Sequence, residues 1–142
     1  MTTKQWLMRA KNLDNEIDSL LEIRDEERKR CLSITQSLTS DIVQATKDPH
    51  KFDRLVEIEE IIDKQIDLCV GIKAEIIDAI MKVDNSIYRQ ILLLRYIRWK
   101  TFDQIADEIH YTKKQTCRFH GRALIDIGGI IGEHLQSTAV KA

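Results

Sequence analysis

The sequence predicts an all-α protein: a long antiparallel helical hairpin of coiled-coil character, followed by a helix-turn-helix. Three observations carry that expectation. Apolar residues recur at spacings of three and four along most of the chain, the period of one helix face. Pro49 is the only proline, and four of the five glycines (Gly121, Gly128, Gly129 and Gly132) lie in the last quarter, so little before them stops a helix.

The first helix is predicted from Trp6, Ala10, Leu13, Ile17, Leu20, Arg24, Glu27, Cys31, Ile34 and Leu38, at alternating spacings of four and three. That is a heptad seam. Arg24 and Glu27 give it a polar middle that can fix register or partner at some cost in stability. In TKDPHKFD, Asp48 can cap a second helix and Pro49 can take its first position, where no N–H is needed. The second helix carries Leu55, Ile58, Ile62, Ile66, Cys69, Ile76, Ile80 and Val83. Ile61, Leu68, Ile72 and Ile77 widen its stripe beyond a two-stranded seam, so it is expected to meet more than one apolar neighbour. Gly71 costs about 1 kcal/mol there relative to alanine without cancelling the helix. The short connection around residues 46–48 predicts that the two helices fold back on each other.

The expected domains are therefore residues 1–83 as an oligomerising hairpin, 84–127 as a helix-turn-helix, and 128–142 as a short C-terminal tail. An isolated two-helix hairpin has little core of its own. Leu13, Ile17, Leu20, Ile34 and Leu38 are accordingly assigned to self-association, with a dimer favoured over higher assemblies.

Capping residues at 84–86 open a helix through IYRQILLLRYI to about Ile97, and the charge balance changes there. Residues 84–126 hold eight Lys/Arg against five Asp/Glu, whereas the whole chain of 142 residues has a net charge of -1. A locally basic module on a neutral to acidic scaffold points to a polyanion partner. Thr101 can cap a short helix with Phe102, Ile105, Ala106 and Ile109 on its inner side. His110 and Tyr111 make a turn, and Thr112 caps a helix beginning KKQTCRFHGRALI. In that helix Thr116, Phe119, Ala123 and Leu124 face inward, leaving Lys113, Lys114, Gln115, Arg118 and Arg122 outside. Four cations with no acid between Thr112 and Ile125 suit double-stranded DNA, because cations neutralise phosphates while Arg, Lys and Gln can bond base edges in the major groove. Thr112 joins these five as the expected DNA-binding set. Lys113, Lys114, Gln115 and Arg118 are placed to enter the groove, with Arg122 nearer a phosphate or Asp126. Trp99 reads as a plug between helices, and Gly121 as a site of close helix packing.

The segment LLLRYIRWKTFDQIADEIHYTKKQTCRFHGRALIDI resembles region 4 of bacterial sigma factors, the promoter-reading domain. The matching places are Leu94, Arg95 and Tyr96; Thr101, Ile105 and Ala106; Thr112; and Arg122, Ala123 and Leu124. The resemblance implies a sigma region 4-like helix-turn-helix whose helix at Thr112 recognises DNA. Nearly the whole chain, KDPHKFDRLVEIEEIID included, is similar to small proteins of phages and prophages of Gram-positive bacteria. These are grouped as ArpU-like and RinA-like late transcriptional regulators, which implies control of late or packaging genes. Lys113, Lys114 and Gln115 stand where region 4 often carries arginine or glutamate, so a -35 element is not the expected target. No segment resembles the promoter-melting part of a sigma factor.

Other classes find less in the sequence. Gly-rich phosphate loops, nucleophile elbows and clustered carboxylates are missing, so no enzyme is expected. Cys31, Cys69 and Cys117 are far apart and outside any CxxC pair, arguing against a disulfide framework or a zinc finger. Cys117 and His120 lie three apart with no second pair to complete a tetrahedral metal site, and no cofactor is implied. Charges interrupt every apolar run at the N-terminus, and no run approaches the roughly 20 residues that span a bilayer; the expectation is a protein of the bacterial cytoplasm with no membrane partner. A small-terminase-like packaging protein would also join a helix-turn-helix to oligomerising helices, but usually in the opposite order. A third reading is an adaptor that binds RNA polymerase or a sigma factor without reading DNA.

Overall fold

The computed structural model describes the backbone of residues 1–36, 50 and 52–141, and side chains at 1–32, 50 and 52–133. Its elements are α1 (Thr3–Leu7), α2 (Arg9–Gln36), α3 (Asp53–Met81), α4 (Ser86–Tyr96), α5 (Phe102–Ile109) and α6 (Lys113–Lys141). The described residues contain no strand, so the protein is all-α as its periodicity predicts. Leu38, Thr46, Asp48 and Pro49, and the side chains of Ile34 and His134, lie outside the described residues.

Two compact units divide the chain, one of Leu13–Cys69 and one of Met1–Asn12 with Val70–Ala142. This differs from the boundaries expected at 83/84 and 127/128. In the second unit Trp6, Leu7 and Ala10 share one core with Ile76, Ala79, Ile80 and Val83 of α3 and its C-terminal end, Leu92 and Tyr96 of α4, and Ala123, Ile127 and Ile131 of α6. Residues 128–141 are the continuation of α6 rather than a separate tail. Ile131 is 5% exposed, so burial on one side of the helix carries it through the three glycines. At Gly128 an added Cβ would stand 3.0 Å from Thr3 Oγ1, whereas at Gly121 it would meet nothing within 4 Å. The close approach expected at Gly121 is thus found two turns further on, where α1 meets α6.

A second core of Ile91, Leu94, Ile105 and Ile109, flanked by Ile87, Phe102 and Phe119, joins α4, α5 and α6. Each fully buried aliphatic side chain of this size contributes about 1.5–3 kcal/mol. Trp99 is half-buried against the first core with φ 55°, and Lys11 Nζ lies 5.9 Å from its ring centroid, so it fills the bend between α4 and α5. Arg95 Nη1 holds that bend by donating to the Lys100 carbonyl at 3.0 Å.

Within Leu13–Cys69, α2 and α3 run antiparallel. The Cys69 thiol donates to Asp14 Oδ1 at 3.3 Å, and Arg28 Nη2 donates to Glu59 Oε1 at 2.9 Å. Ile17, Cys31, Ile62 and Cys69 are buried there, while Leu13, Leu20, Arg24, Glu27, Leu55, Ile58 and Gln65 are half-buried. Ile17, Leu13 and Leu20 are therefore turned inward within a single chain. Gln65 occupies the seam position expected for Ile66, which is 40% exposed. Ile66 is the more apolar of the two neighbours, but the repeat running through Leu55, Ile58, Ile62 and Cys69 passes through position 65.

Candidate nucleic-acid interface

Among the described residues, three helix starts use one device, Thr-x-x-Gln. At α5 the Gln104 N–H donates to Thr101 Oγ1 at 3.3 Å while the Thr101 N–H donates to Gln104 Oε1 at 3.0 Å. At α6 the Gln115 N–H donates to Thr112 Oγ1 at 3.2 Å, and the Thr112 N–H donates to Gln115 Oε1 at 3.4 Å. Thr2 and Gln5 do the same for α1. Such a box satisfies two N–H groups that a helix start leaves unpaired. Between α5 and α6 the chain turns at His110, in the left-handed conformation at φ 61° and ψ 40°, where it and Tyr111 both donate to the Ala106 carbonyl. A non-glycine residue adopts this conformation at a local cost, accepted here to start α6 three residues later.

The inner side of α6 is fixed at three places. Thr116 is fully buried and its hydroxyl donates to the Thr112 carbonyl at 2.8 Å. Phe119 packs between Tyr88 and Tyr111, with ring centroids 6.1 and 5.1 Å away. His120 Nε2 and the Tyr96 hydroxyl share a hydrogen bond at 2.7 Å, and Phe102 sets its edge against the imidazole at 5.0 Å. Burial lowers the His120 pKa to about 4, helped by the charges of Lys4 and Arg95. Burial also raises the Tyr96 phenol, against the opposing charge of Arg95. At neutral pH both groups are uncharged, which is what a dry interior favours.

The outer side of α6 is cationic. Lys113, Lys114, Gln115, Arg118 and Arg122 are all exposed, as Thr112 is. Lys113 pairs with Asp103 of α5 at 3.5 Å, both well exposed, so the link is worth at most about 1 kcal/mol and yields readily to another anion. No ion pair engages Lys114, Arg118 or Arg122 among the described residues, and Arg122 does not pair with Asp126. Spaced by four, these three form a continuous row along the helix, with Gly121 and the 76% exposed Ile125 beside it. Comparison with protein-family models, with curated proteins and with solved structures finds no match to this chain.

One of the expected site residues has an altered role. Gln115 Oε1 is taken up by the cap of α6, and a bidentate adenine contact would need that same oxygen. The Thr-x-x-Gln spacing was the signal for it. On α5, Glu108 is held by Lys100, and that hydrogen bond lowers its pKa. Asp103 and Glu108 are thus both paired with lysines, which reduces the negative field next to the cationic row. Cys117 is exposed whereas His120 is buried against Tyr96 and Phe102. Among the described residues no group of three His, Cys, Asp or Glu is placed to hold a metal ion, and no helix is long and apolar enough to cross a membrane.

Proposed function

We propose that this protein is a sequence-specific double-stranded DNA-binding transcriptional regulator that sets the first turns of α6 in the major groove. The row of Lys114, Arg118 and Arg122, exposed on a helix whose opposite side is fixed in a core, is the observation that supports this most. Cations already satisfied by internal acids gain little from phosphates, whereas unpaired ones displace counterions from DNA. Arg118 is the residue for guanine O6 and N7, with Lys114 one turn before it; Lys113 and Arg122 meet phosphates. Gln115 holds the helix start. The resemblance to phage late regulators supports late or packaging genes as targets, in the bacterial cytoplasm. A homodimer would present two such helices to two half-sites.

A salt series with duplex DNA, followed by binding-site selection, tests the proposal. Affinity should fall steeply with salt, and Arg122→Ala should reduce the slope by about one while weakening all sequences alike. Arg118→Ala should flatten preference at one base pair, at about 1–3 kcal/mol. An affinity independent of salt overturns DNA binding, and an unchanged selected motif overturns the base-reading role.

One observation favours a second reading, an adaptor for RNA polymerase or a sigma factor. A cleft of about 270 Å³ between α4 and α5 is floored by Leu93, Leu94 and Ile109 and edged by Gln90, Arg98 and Glu108. If purified polymerase retains the protein equally with and without Lys114→Ala and Arg118→Ala, and DNA alone never does, the adaptor reading replaces the first.

A further inference from the structure

The inner seam of α3 already has a neighbour in α2, yet α3 carries a second heptad stripe. Arg54, Glu57, Ile61, Lys64 and Leu68 follow one another at spacings of three and four, and all five are exposed. Ile61 is 47% and Leu68 51% exposed. A helix with two such stripes has the pattern of one that meets two neighbours. The outward face of α2 differs: Asn15, Glu16, Asp18, Ser19, Glu22 and Asp25 are exposed along it, and its exposed Ile23 and Leu32 stand nine residues apart, so the described part of α2 offers no matching apolar row.

The order of charges in the α3 stripe selects the second neighbour. Glu57 lies four residues before Ile61 and Lys64 three after it, and neither forms an ion pair among the described residues. If an identical helix is laid antiparallel with Ile61 at the two-fold axis, each Glu57 falls within one residue, about 1.5 Å of rise, of the Lys64 of the other copy. Arg54 then lays its aliphatic stem over the other Leu68. A parallel copy would set Glu57 against Glu57 and Lys64 against Lys64. The stripe is thus complementary to itself in one orientation, as a closed two-fold contact requires.

We propose that a second copy of this chain docks antiparallel along the Arg54–Glu57–Ile61–Lys64–Leu68 stripe of α3, with Ile61 meeting its own counterpart. The inference rests on the self-association proposed above and is independent of DNA reading. It moves the interface from the inward seam of α2 to the outer flank of α3.

The test combines sedimentation with cross-linking and charge exchange. Ile61→Cys in a Cys117→Ser background should give a disulfide-linked dimer under mild oxidation, Cys31 and Cys69 being buried. Glu57→Lys alone and Lys64→Glu alone should each weaken the dimer by roughly tenfold, since two symmetry-related attractions become repulsions, and the double exchange should restore it. Because these positions are exposed, helix content by circular dichroism should stay that of the parent. A monomeric wild type at high concentration overturns self-association and this surface together. A dimer that neither cross-links at position 61 nor responds to the exchanges overturns this surface alone, leaving the interface elsewhere.

Discussion

The two compact units differ in how completely they close on themselves. Among the described residues, all the largest fully buried side chains, such as Leu7, Ile76, Ile80, Leu92, Tyr96, Ile105 and Ile127, belong to Met1–Asn12 and Val70–Ala142. Among the described residues, Leu13–Cys69 buries Ile17, Cys31, Ile62 and Cys69, while Ile23, Leu32, Val56, Ile61, Ile66 and Leu68 remain exposed. Two helices side by side have only one line of contact, whereas helices meeting from several directions enclose a volume. The unit of Met1–Asn12 and Val70–Ala142 therefore has its stability within one chain, and Leu13–Cys69 gains most from a neighbour.

The largest expected effect breaks the better-packed side of this contrast. Leu92→Ala should cost about 3 kcal/mol and lower Tm by roughly 10 °C, whereas Ile61→Ala, in a sample dilute enough to be monomeric, should stay within about 0.5 kcal/mol. Thermal melts of the two variants check this, and equal losses would remove the distinction. Acid gives the next effect. His120 titrates near 4 in the folded chain against about 6.5 unfolded, so the unfolded state takes up the proton first. Its neutral form costs nothing above pH 6.5, and stability is lost as pH falls from about 6.5 toward 4, by up to roughly 3 kcal/mol. Urea titrations across that range should show the slope in wild type and a weaker one in His120→Leu.

Smaller effects sharpen the contrast at the α5–α6 turn. Thr112→Ala removes the cap of α6 and should cost about 1 kcal/mol; Gln115→Glu should keep the box, and Gln115→Ala should leave the selected DNA motif unchanged. A motif that changes with Gln115→Ala would return that residue to base reading. His110→Gly relieves the left-handed backbone and should stabilise by roughly 0.5 kcal/mol, seen as a slight rise in the midpoint of denaturation.

What was legible in the sequence follows the range of the interactions. The helical class could be read because period and capping are local: every position from Trp6 to Cys31 in the first heptad seam is buried or half-buried, and Thr101 and Thr112 cap the helices they precede. Thr116 and Ala123 are buried as their spacing requires. The packing of Trp6 and Leu7 on Ile127 and Ile131 joins opposite ends of the chain, and no local pattern records it. It also explains why α6 continues through Gly128, Gly129 and Gly132, which composition alone reads as a tail. His120 carries no apolar signal, so its burial against Tyr96 was hidden until α4 and α6 were placed together.

Mechanically, α6 is a beam resting on two bearings. Thr116 to Ala123 lie on α4 and α5, and Ile127 to Ile131 lie on the N-terminal segment, with Thr3 seated against Gly128. A beam on two bearings resists rocking; on one it pivots. Lys114 stands about 9 Å along the axis from His120, so a rock of roughly 10° about that point would carry it about 1.5 Å, beyond the distance tolerance of a hydrogen bond. The first seven residues, remote in sequence from every cation in the row, thereby set the aim of the helix that carries them.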